Sequence, residues 1–451
     1  MRHILLVEPG YKNKYPPLGL MKIARYHKNK GDYVQFIKGI ASGLKPEKKW
    51  DRIYISTLFT FFWKETIKTI NFYKKFVETT EQIFVGGVSA TLLRDELHET
   101  TGVSIVTGLL DFPGVLDVGD TTIIDHLVPD YDLLTQSDYS YGQENAYIGY
   151  ATRGCPNSCS FCAVSKIEPI FHGYLPLKKQ IRTLEDLYGP RRHLTLLDNN
   201  VLASPNFNQI IDDIIKLGFY KGAKLNGGLR YVDFNQGLDL NFLTPEKMGR
   251  LSEIPIKPLR IAFDHIELKE RYVKCIHLAA EYGILNLSNY VLYNFEDTPE
   301  DFYERLRINV ELNEKLGTKI YSFPMKYIPL NAKDRSYIGE HWNRRLLRGV
   351  QCILMATLGK VGLRLDFFEA AFGGNVKEFL EIAVMPEHYI IYREKYKNNE
   401  ALSWRKAFNS LTLEDKEQLA YISSSSPIDF KTLKSRKLKK LLLPFSEKVK
   451  E

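Results

Sequence analysis

The residues best suited to chemistry in this 451-residue chain are three clustered cysteines. Cys155, Cys159 and Cys162 lie within a span of eight residues, in the segment ATRGCPNSCSFC, and the chain has only five cysteines. Cysteine thiolates are the standard ligands of iron–sulfur clusters. Three ligands on a four-iron cube leave one iron open, and an open position is what substrate binding requires. The pattern therefore indicates an iron–sulfur site.

Zinc binding and chance clustering are the alternative interpretations of these cysteines. A structural zinc ion takes four protein ligands, and His172 is a candidate fourth ligand. However, gaps of three residues and then two are not a usual zinc-knuckle spacing, and isolated core cysteines do not cluster in this way. The other two cysteines, Cys275 and Cys352, lie in apolar helical patterns that predict buried, inert thiols. Two separated cysteines cannot complete an auxiliary cluster.

The cysteines directly follow a predicted strand, which is the first of six strands separated by helical patterns. The predicted strands are Tyr147–Thr152, His193–Leu197, Arg230–Phe234, Leu259–Phe263, Asn289–Tyr293 and Lys319–Phe323. The clearest helix begins after Thr298, where Thr-Pro-Glu-Asp is a typical N-terminal capping sequence, and continues to about Leu316. Six βα units predict a partial, TIM-like (β/α)6 barrel. Parallel barrels carry their chemistry at the carboxyl ends of the strands, where the cysteines lie.

The motif Cys-x-x-x-Cys-x-aromatic-Cys, placed after a strand that opens six βα units, resembles the radical S-adenosylmethionine (radical SAM) superfamily over about residues 147–330. The resemblance implies a 4Fe–4S cluster on Cys155, Cys159 and Cys162, whose open iron binds S-adenosylmethionine (SAM), and it places Phe161 among the cofactor-binding residues. It also implies reductive cleavage of SAM to a 5′-deoxyadenosyl radical that abstracts a hydrogen atom from a substrate. An electron donor such as flavodoxin or ferredoxin would then be required.

Polar residues at the end of the second barrel strand are the next candidates for cofactor binding. Asp198, Asn199 and Asn200 occupy the place where the superfamily usually has a short polar or acidic motif that binds the amino group of SAM. The commoner Gly-Gly-Glu form of that motif is absent. Asp and Asn also favour turns and helix caps, so a structural role is the alternative.

The other strand ends supply further candidates. By resemblance, Asn235 after the third strand and Asp264 after the fourth contact SAM or the substrate, with Asp264 the best candidate for the ribose. Asp264 and His265 are the candidate catalytic residues, although a lone histidine is as often structural. By resemblance, Asn294 after the fifth strand is expected to border the adenine, and Met325 at the sixth strand to border the adenine and the substrate. A core or lid role is the alternative for Met325.

Residues 1–135 predict a separate Rossmann-like, doubly wound domain, because short β-rich runs alternate with helical patterns. Segments such as His3–Pro9, Pro16–Leu20 and Phe84–Gly87 resemble the cobalamin-binding domain that often precedes a radical SAM core. The Asp-x-His-x-x-Gly motif that supplies a lower cobalt ligand is absent. We therefore expect weak, histidine-free cobalamin binding or none, and slightly favour none. A degenerate docking domain is the alternative.

The remaining residues predict two further domains, a barrel at 145–330 and a mostly helical C-terminal domain with a basic tail at 331–451. The basic run Lys431–Lys440 is interpreted as a solvated helix face, with polyanion binding as the alternative. The net charge of +8, from 62 basic and 54 acidic residues, is too mild to require a nucleic acid partner.

Location and substrate class follow only in outline. No stretch of about 18 apolar residues occurs, the first apolar run is too short for a signal peptide, and five cysteines do not suggest a disulfide scaffold. We expect a cytoplasmic protein with no membrane partner. A small metabolite, a peptide and a nucleic acid base all remain open as substrates. A non-catalytic iron–sulfur or zinc binding module is the competing function, and the polar strand ends favour an enzyme.

Overall fold

The structure of the protein, a computed structural model, describes residues 1–41, 43–45, 47, 49–424, 428, 430, 433 and 435–446. The described residues form two compact units. The first consists of Met1–Gln236, Arg250–Ile256 and Ile328–Tyr337, and the second takes the remaining described residues, from Gly237 onward. The fold is mixed α/β, as predicted, with parallel sheets and many helices. The division into three domains stays a prediction.

The first unit begins with a five-stranded parallel sheet. Its strands are His3–Glu8, Tyr33–Lys38, Arg52–Thr57, Ile83–Gly87 and Ser104–Val106, and their spatial order is second, first, third, fourth, fifth. Ile4–Val7 are completely buried, so both faces of the sheet are covered, as is typical of parallel sheets. This strand order confirms the doubly wound fold. It reverses between the first and third strands, and ligands bind at that point in such sheets.

Four α-helices accompany this sheet, and three of them differ from the two helices that the sequence pattern predicts over Lys64–Glu78 and near Ala90–Leu97. The four helices are Leu18–Asn29, Trp63–Tyr73, Val88–Leu92 and Arg94–Thr101. The helix predicted near Ala90–Leu97 is two helices, because Leu93 leaves the helical region and is buried in the core. The helix predicted over Lys64–Glu78 ends at Tyr73 and continues as a single 3-10 turn.

A second sheet in the first unit contains the first three predicted barrel strands. They are Ala146–Gly149, His193–Leu196 and Val232–Phe234, all parallel, with His193–Leu196 in the middle. The helices Leu177–Tyr188 and Phe207–Lys216 lie between them in the chain. The third strand begins two residues later than predicted, because the Arg230 amide donates to the Ala223 carbonyl at 2.8 Å and so extends a small antiparallel hairpin that turns at Asn226-Gly227. Asn-Gly is the dipeptide typical of two-residue hairpin turns.

The second unit contains the other three predicted barrel strands in one parallel sheet, Leu259–Ala262, Asn286–Tyr293 and Lys319–Lys326. The last two strands are each three residues longer than predicted, because they pair in continuous register along their whole length. The helices of this region are Lys269–Glu281 and Pro299–Leu316. The predicted cap of the latter is confirmed, since Thr298 Oγ1 accepts from the Asp301 amide at 3.1 Å.

The rest of the second unit is helical, as predicted. Its helices are Arg344–Ala356, Leu365–Phe372, Val376–Val384, Glu387–Ile391, Arg393–Tyr396, Glu400–Asn409, Leu413–Ile422 and Arg436–Ser446. The last helix buries Leu438, Leu441 and Leu442 and leaves Lys437 and Lys440 exposed, which agrees with a solvated basic face. In the basic run, Lys431, Thr432 and Lys434 lie outside the described residues. No helix in the described ranges is long and apolar enough to span a bilayer.

Candidate functional site

The three cysteines lie on one loop, residues 154–168, whose base is closed by backbone hydrogen bonds. The Arg153 amide donates to the His172 carbonyl at 3.1 Å, and the His172 amide donates to the Arg153 carbonyl at 2.9 Å. Gly154 has φ +73°, and a Cβ there would lie 2.3 Å from the Ile170 carbonyl oxygen. Only glycine fits at this position, so the loop begins in one defined conformation.

Glu168 fastens both arms of this cysteine loop to the second sheet. Its Oε2 accepts from the Gly154 amide at 2.7 Å and from Asn199 Nδ2 at 3.0 Å. Its Oε1 lies 3.4 Å from Arg153 Nη2 in a buried ion pair. The carboxylate therefore ties the residue before Cys155 to the end of the second strand. Sequence reasoning missed Glu168, because nothing in its local sequence marks it.

The thiols of the loop are accessible. Cys159 is exposed, while Cys155 and Cys162 are partly buried, so they do not belong to an apolar core. Asn200 Nδ2 lies 3.5 Å from Cys155 Sγ, within range of an N–H···S hydrogen bond. Among the described residues, no three His, Cys, Asp or Glu side chains converge as they would around a single metal ion. Three accessible thiols on one loop fit the ligand chemistry of an iron–sulfur cluster.

Asp198 fastens the ends of the first two barrel strands together. It is completely buried, and its Oδ1 accepts from the Ala151 amide at 3.0 Å, from the Thr152 amide and from Thr152 Oγ1 at 2.7 Å. Burial raises the pKa of the carboxyl to about 6. Its Oδ2 is buried with no hydrogen-bond partner among the described residues. These contacts match the structural alternative, and contact with the amino group of SAM stays a prediction.

Two more strand-end residues of the first unit, Asn235 and Gln236, lie next to a cavity. Asn235 Nδ2 donates to the Tyr15 hydroxyl, and both Tyr15 and Gln236 line the cavity. The structure thus brings Asp198, Asn199 and Asn200 to the cysteine segment, whereas Asn235 contacts a residue of the N-terminal sheet domain. Its predicted role in binding SAM is untested.

This cavity, of about 510 Å³, lies at the carboxyl edge of the N-terminal sheet, where the strand order reverses, and we call it the switch-point cavity. Its volume is within the usual range for small-molecule sites. Glu8, Asn13, Tyr15, Ser56–Phe59, Gly86–Val88, Tyr150, Arg153 and Leu197 are among the lining residues. The sequence predicts a corrin site between the Glu8–Tyr15 loop, Ser56–Phe59 and Gly86–Ser89, and residues of all three segments line the cavity. No histidine occurs among the described lining residues.

Buried charges in the wall of the switch-point cavity are paired. Glu8 Oε2 accepts from Lys38 Nζ at 2.9 Å and from the Tyr141 hydroxyl at 2.5 Å. Glu8 Oε1 accepts from Asn13 Nδ2 at 2.8 Å. Lys22 Nζ forms an ion pair with Asp125 at 2.8 Å. These carboxylates are occupied by protein donors, so ligand recognition would rest on the largely apolar remainder of the wall.

Gly87 in this wall has a structural reason to be glycine. Its φ is +101°, and a Cβ would lie 2.3 Å from the Thr57 carbonyl oxygen on the neighbouring strand. From the sequence, Gly86 and Gly87 are expected to let a bound corrin approach the backbone closely. The contact with Thr57 accounts for Gly87 without a ligand, so this glycine is not evidence for one.

In the second unit, a buried arginine organises the end of the fourth barrel strand. Arg305 Nη1 donates to the carbonyl oxygens of Phe263 and Asp264 at 2.9 and 2.8 Å, and Nη2 pairs with Asp297 at 2.9 Å. Burial raises the pKa of the Asp264 carboxyl. Arg305 thus holds the backbone of the candidate pair Asp264 and His265. Sequence reasoning missed it, since an arginine in a helix reads as a surface residue.

The other two candidates of the second unit differ in accessibility. Asn294 is completely buried, and its Nδ2 donates to the Tyr327 carbonyl at 3.1 Å while its Oδ1 accepts from the Gly339 amide at 2.8 Å. The side-chain amide therefore has protein partners at both ends. Met325 is 47% exposed. Their predicted roles beside adenine and substrate are untested.

The two cysteines outside the loop are buried, as predicted. Burial raises the pKa of the Cys275 thiol to about 12 and that of Cys352 to about 11. Both thiols are therefore protonated at neutral pH, and the nucleophilic or metal-binding form of cysteine is the thiolate. The accessible thiols of the described chain are those of the cysteine loop.

Comparisons with known proteins give a fold-level likeness only. No protein-family model matches the chain, and no curated protein matches it. The cobalamin-dependent S-adenosylmethionine radical enzyme OxsB with aqua-cobalamin and S-adenosylmethionine bound is 15% identical, with a TM-score of 0.49 over 68% of this chain and 52% of OxsB. Selenomethionine-labelled apo OxsB gives 14% and 0.45 over the same shares.

A third solved structure, SuiB of Streptococcus suis bound to its precursor peptide SuiA, is 10% identical, with a TM-score of 0.32 over 65% of this chain and 63% of SuiB. The chain thus spans about half the length of OxsB and less than two thirds of SuiB.

Proposed function

We propose that this chain is a radical SAM enzyme, which cleaves SAM reductively at one 4Fe–4S cluster and modifies its substrate by hydrogen-atom abstraction. The supporting observation is the cysteine loop, with three accessible thiols held at the carboxyl end of a parallel strand. Cys155, Cys159 and Cys162 would hold the cluster, which when bound supplies the electron for cleavage of the sulfonium.

The protein's own contribution is to hold this loop in place. Glu168 and the Arg153–His172 backbone pair close its base, and Asp198 and Asn200 anchor it to the second strand. Because the polar strand-end residues contact the cysteine segment, they would serve a non-catalytic iron–sulfur or zinc module equally well. Only a measured reaction, the cleavage of SAM, therefore distinguishes an enzyme from a non-catalytic module.

The test is anaerobic reconstitution with iron and sulfide. We expect about four iron atoms per chain, as for one cube, and formation of 5′-deoxyadenosine from SAM under reducing conditions. Cys155→Ala, Cys159→Ala and Cys162→Ala should each lose the iron and the product, whereas Cys275→Ala, which alters a buried thiol, should keep both. Stoichiometric zinc without uptake of iron would contradict the proposal.

The switch-point cavity supports a second candidate, a cobalamin-dependent radical SAM methyltransferase. The cavity lies where a doubly wound sheet binds its ligand, and Tyr150, Arg153 and Leu197 next to the barrel strand ends line it as well. Cobalamin bound there would have no imidazole ligand from the described lining residues. The affinity for cobalamin would rest on packing against the corrin and on contacts with the cobalamin tail. We therefore rank this reaction second.

Substrate and partners are proposed on sequence grounds. A small metabolite, a peptide and a nucleic acid base remain the candidate substrates. An electron donor such as flavodoxin or ferredoxin and a cytoplasmic location follow from the proposed chemistry and from the reduced cysteines that it needs.

A further inference from the structure

We propose that Asn200 is a positioning residue of the cluster site, whose side-chain amide donates a hydrogen bond to Cys155 and makes the cluster easier to reduce. This inference rests on the proposed function and deepens it. The amide nitrogen lies 3.5 Å from Cys155 Sγ, and Asn200 is 1% exposed. The donor is thus buried, and the cysteine that it contacts is partly exposed.

The backbone around Asn200 keeps this donor in place. Asp198, two residues earlier, is bonded to the strand end before Cys155, and Asn199 is bonded to Glu168 on the far arm of the loop. A 3-10 turn, Val201–Ala203, follows directly. Three consecutive side chains therefore reach back to the cysteine segment, and of these only Asn200 contacts a cysteine sulfur.

A hydrogen bond to a cluster sulfur favours the reduced state. Reduction adds one negative charge to the cluster, which is spread over iron and sulfur, and the positive end of an N–H dipole stabilises that charge. Hydrogen bonds to the sulfurs are among the factors that set the reduction potentials of iron–sulfur clusters. Low local dielectric strengthens the effect, because solvent cannot screen a buried dipole.

The resemblance to radical SAM enzymes assigns Asn200 a different role, in binding the amino group of SAM. The two roles are separable, because a contact with SAM alters nothing when SAM is absent. A hydrogen bond to Cys155 alters the potential of the cluster with or without SAM. The decisive measurement is therefore the potential without SAM.

Asn200→Ala removes the donor without adding charge, and Asn208→Ala is the control, since it removes an exposed side-chain amide on the following helix, Phe207–Lys216. Both proteins are reconstituted anaerobically, assayed for iron and titrated electrochemically with detection by electron paramagnetic resonance, without SAM. At the wild-type midpoint we expect the ratio of reduced to oxidised cluster to fall about tenfold in Asn200→Ala, which for one electron is about 59 mV. Asn208→Ala should stay within about twofold.

Asn200→Gln, which keeps an amide donor, should restore part of the shift. Should Asn200→Ala hold no cluster, Asn200→Leu replaces it, because that side chain has about the same size and neither a donor nor a charge. A midpoint unchanged from wild type in the donor-free variant would overturn the inference and leave the proposed function intact. Wild-type protein that takes up no iron would overturn both.

Discussion

The carboxyl group of Asp198 is completely buried, and only one of its oxygens accepts hydrogen bonds from the described residues. Its Oδ1 accepts three hydrogen bonds from Ala151 and Thr152, and its Oδ2 has no partner among the described residues. Burial disfavours the charged form and raises the pKa to about 6, more than the hydrogen bonds lower it. The raised pKa of this candidate SAM-binding residue therefore gives it a structural effect that can be measured without SAM.

Replacing Asp198 should change how stability depends on pH. Because the pKa of the folded state lies above the ordinary value of 3.8, protonation favours the folded state. Asp198 therefore contributes up to about 3 kcal/mol to the free energy of unfolding below about pH 4, and this contribution is lost as the pH rises through about 6. In Asp198→Asn this loss should disappear, as measured by urea unfolding at pH 4.5 and 7.5.

The control for this prediction is Asp186→Asn, the same substitution on an exposed helix position. It should keep the wild-type dependence of stability on pH. An Asp198→Asn protein that loses stability between the two pH values as much as wild type does would contradict the assignment.

At the scale of elements, the structure joins loops and strands through single charged side chains. Glu168 closes the cysteine loop by bonding the Gly154 amide and Asn199, and Arg305 binds the strand end at Phe263 and Asp264. In both cases one side chain satisfies several groups that would otherwise be buried without partners. Loss of such a side chain costs more than a typical surface contact, because each group that it leaves unpaired adds a penalty.

Loss of Glu168 should open the base of the cysteine loop. A hydrogen bond to a charged group contributes about 1.5–3 kcal/mol, so local opening should become at least about tenfold more frequent. We expect amide hydrogen exchange at Gly154 to rise by that factor in Glu168→Ala and by less in Glu168→Gln, which retains an acceptor. Hydrogen exchange with mass spectrometry on the cluster-free protein measures it, with Glu99→Ala on an exposed helix face as the control.

Breaking the ion pair of Arg305 should destabilise the second unit strongly. Asp297→Ala leaves a completely buried guanidinium without its carboxylate, which costs about 3–5 kcal/mol. Glu304→Ala is the control on the helix that carries Arg305, because its ion pair with Lys269 is exposed and contributes less than about 1 kcal/mol. Urea unfolding compares the two, and similar losses of stability would refute the special role of the buried pair.

At the scale of the whole molecule, a ligand-sized cavity occurs where the doubly wound topology places one. The strand order reverses between the first and third strands, and the cavity lies at their carboxyl ends. Its wall is mostly apolar, its carboxylates are paired, and no histidine lines it among the described residues. The topology thus predicts where a ligand binds, and the lining restricts how a cobalt ion could be held there.

Cobalamin binding tests this cavity directly. We expect the purified protein to retain less than one cobalamin per chain after incubation with hydroxocobalamin and desalting, because no lining imidazole would hold the cobalt. The visible absorption spectrum of the desalted protein measures retention. About one retained cobalamin per chain, lost in the cavity-narrowing variant Ser56→Phe, would contradict this expectation and make radical methyl transfer the leading reaction.

The sequence by itself determined the features that depend on neighbouring residues. The strands of both barrel sheets, the cap at Thr298, the burial of Cys275 and Cys352 and the cysteine loop after the first barrel strand were all predictable. Periodic hydrophobicity, helix capping and motif spacing involve residues that are close in sequence, so the sequence alone reveals them. Strand boundaries differ from prediction where pairing with a neighbouring strand extends them. The fifth barrel strand begins at Asn286 and the sixth ends at Lys326, because the two strands pair along their whole length.

Only the tertiary structure decided which side chains meet. Asn200 reaches Cys155 across 45 positions, Arg305 reaches Phe263 across 42, and Asp198 reaches Thr152 across 46. Glu168 is closer in sequence to Gly154, yet its bond exists only because the loop closes at His172. Hydrogen bonds and ion pairs need atoms within a few ångströms, and the local pattern of residues does not encode which distant atoms folding brings to that distance.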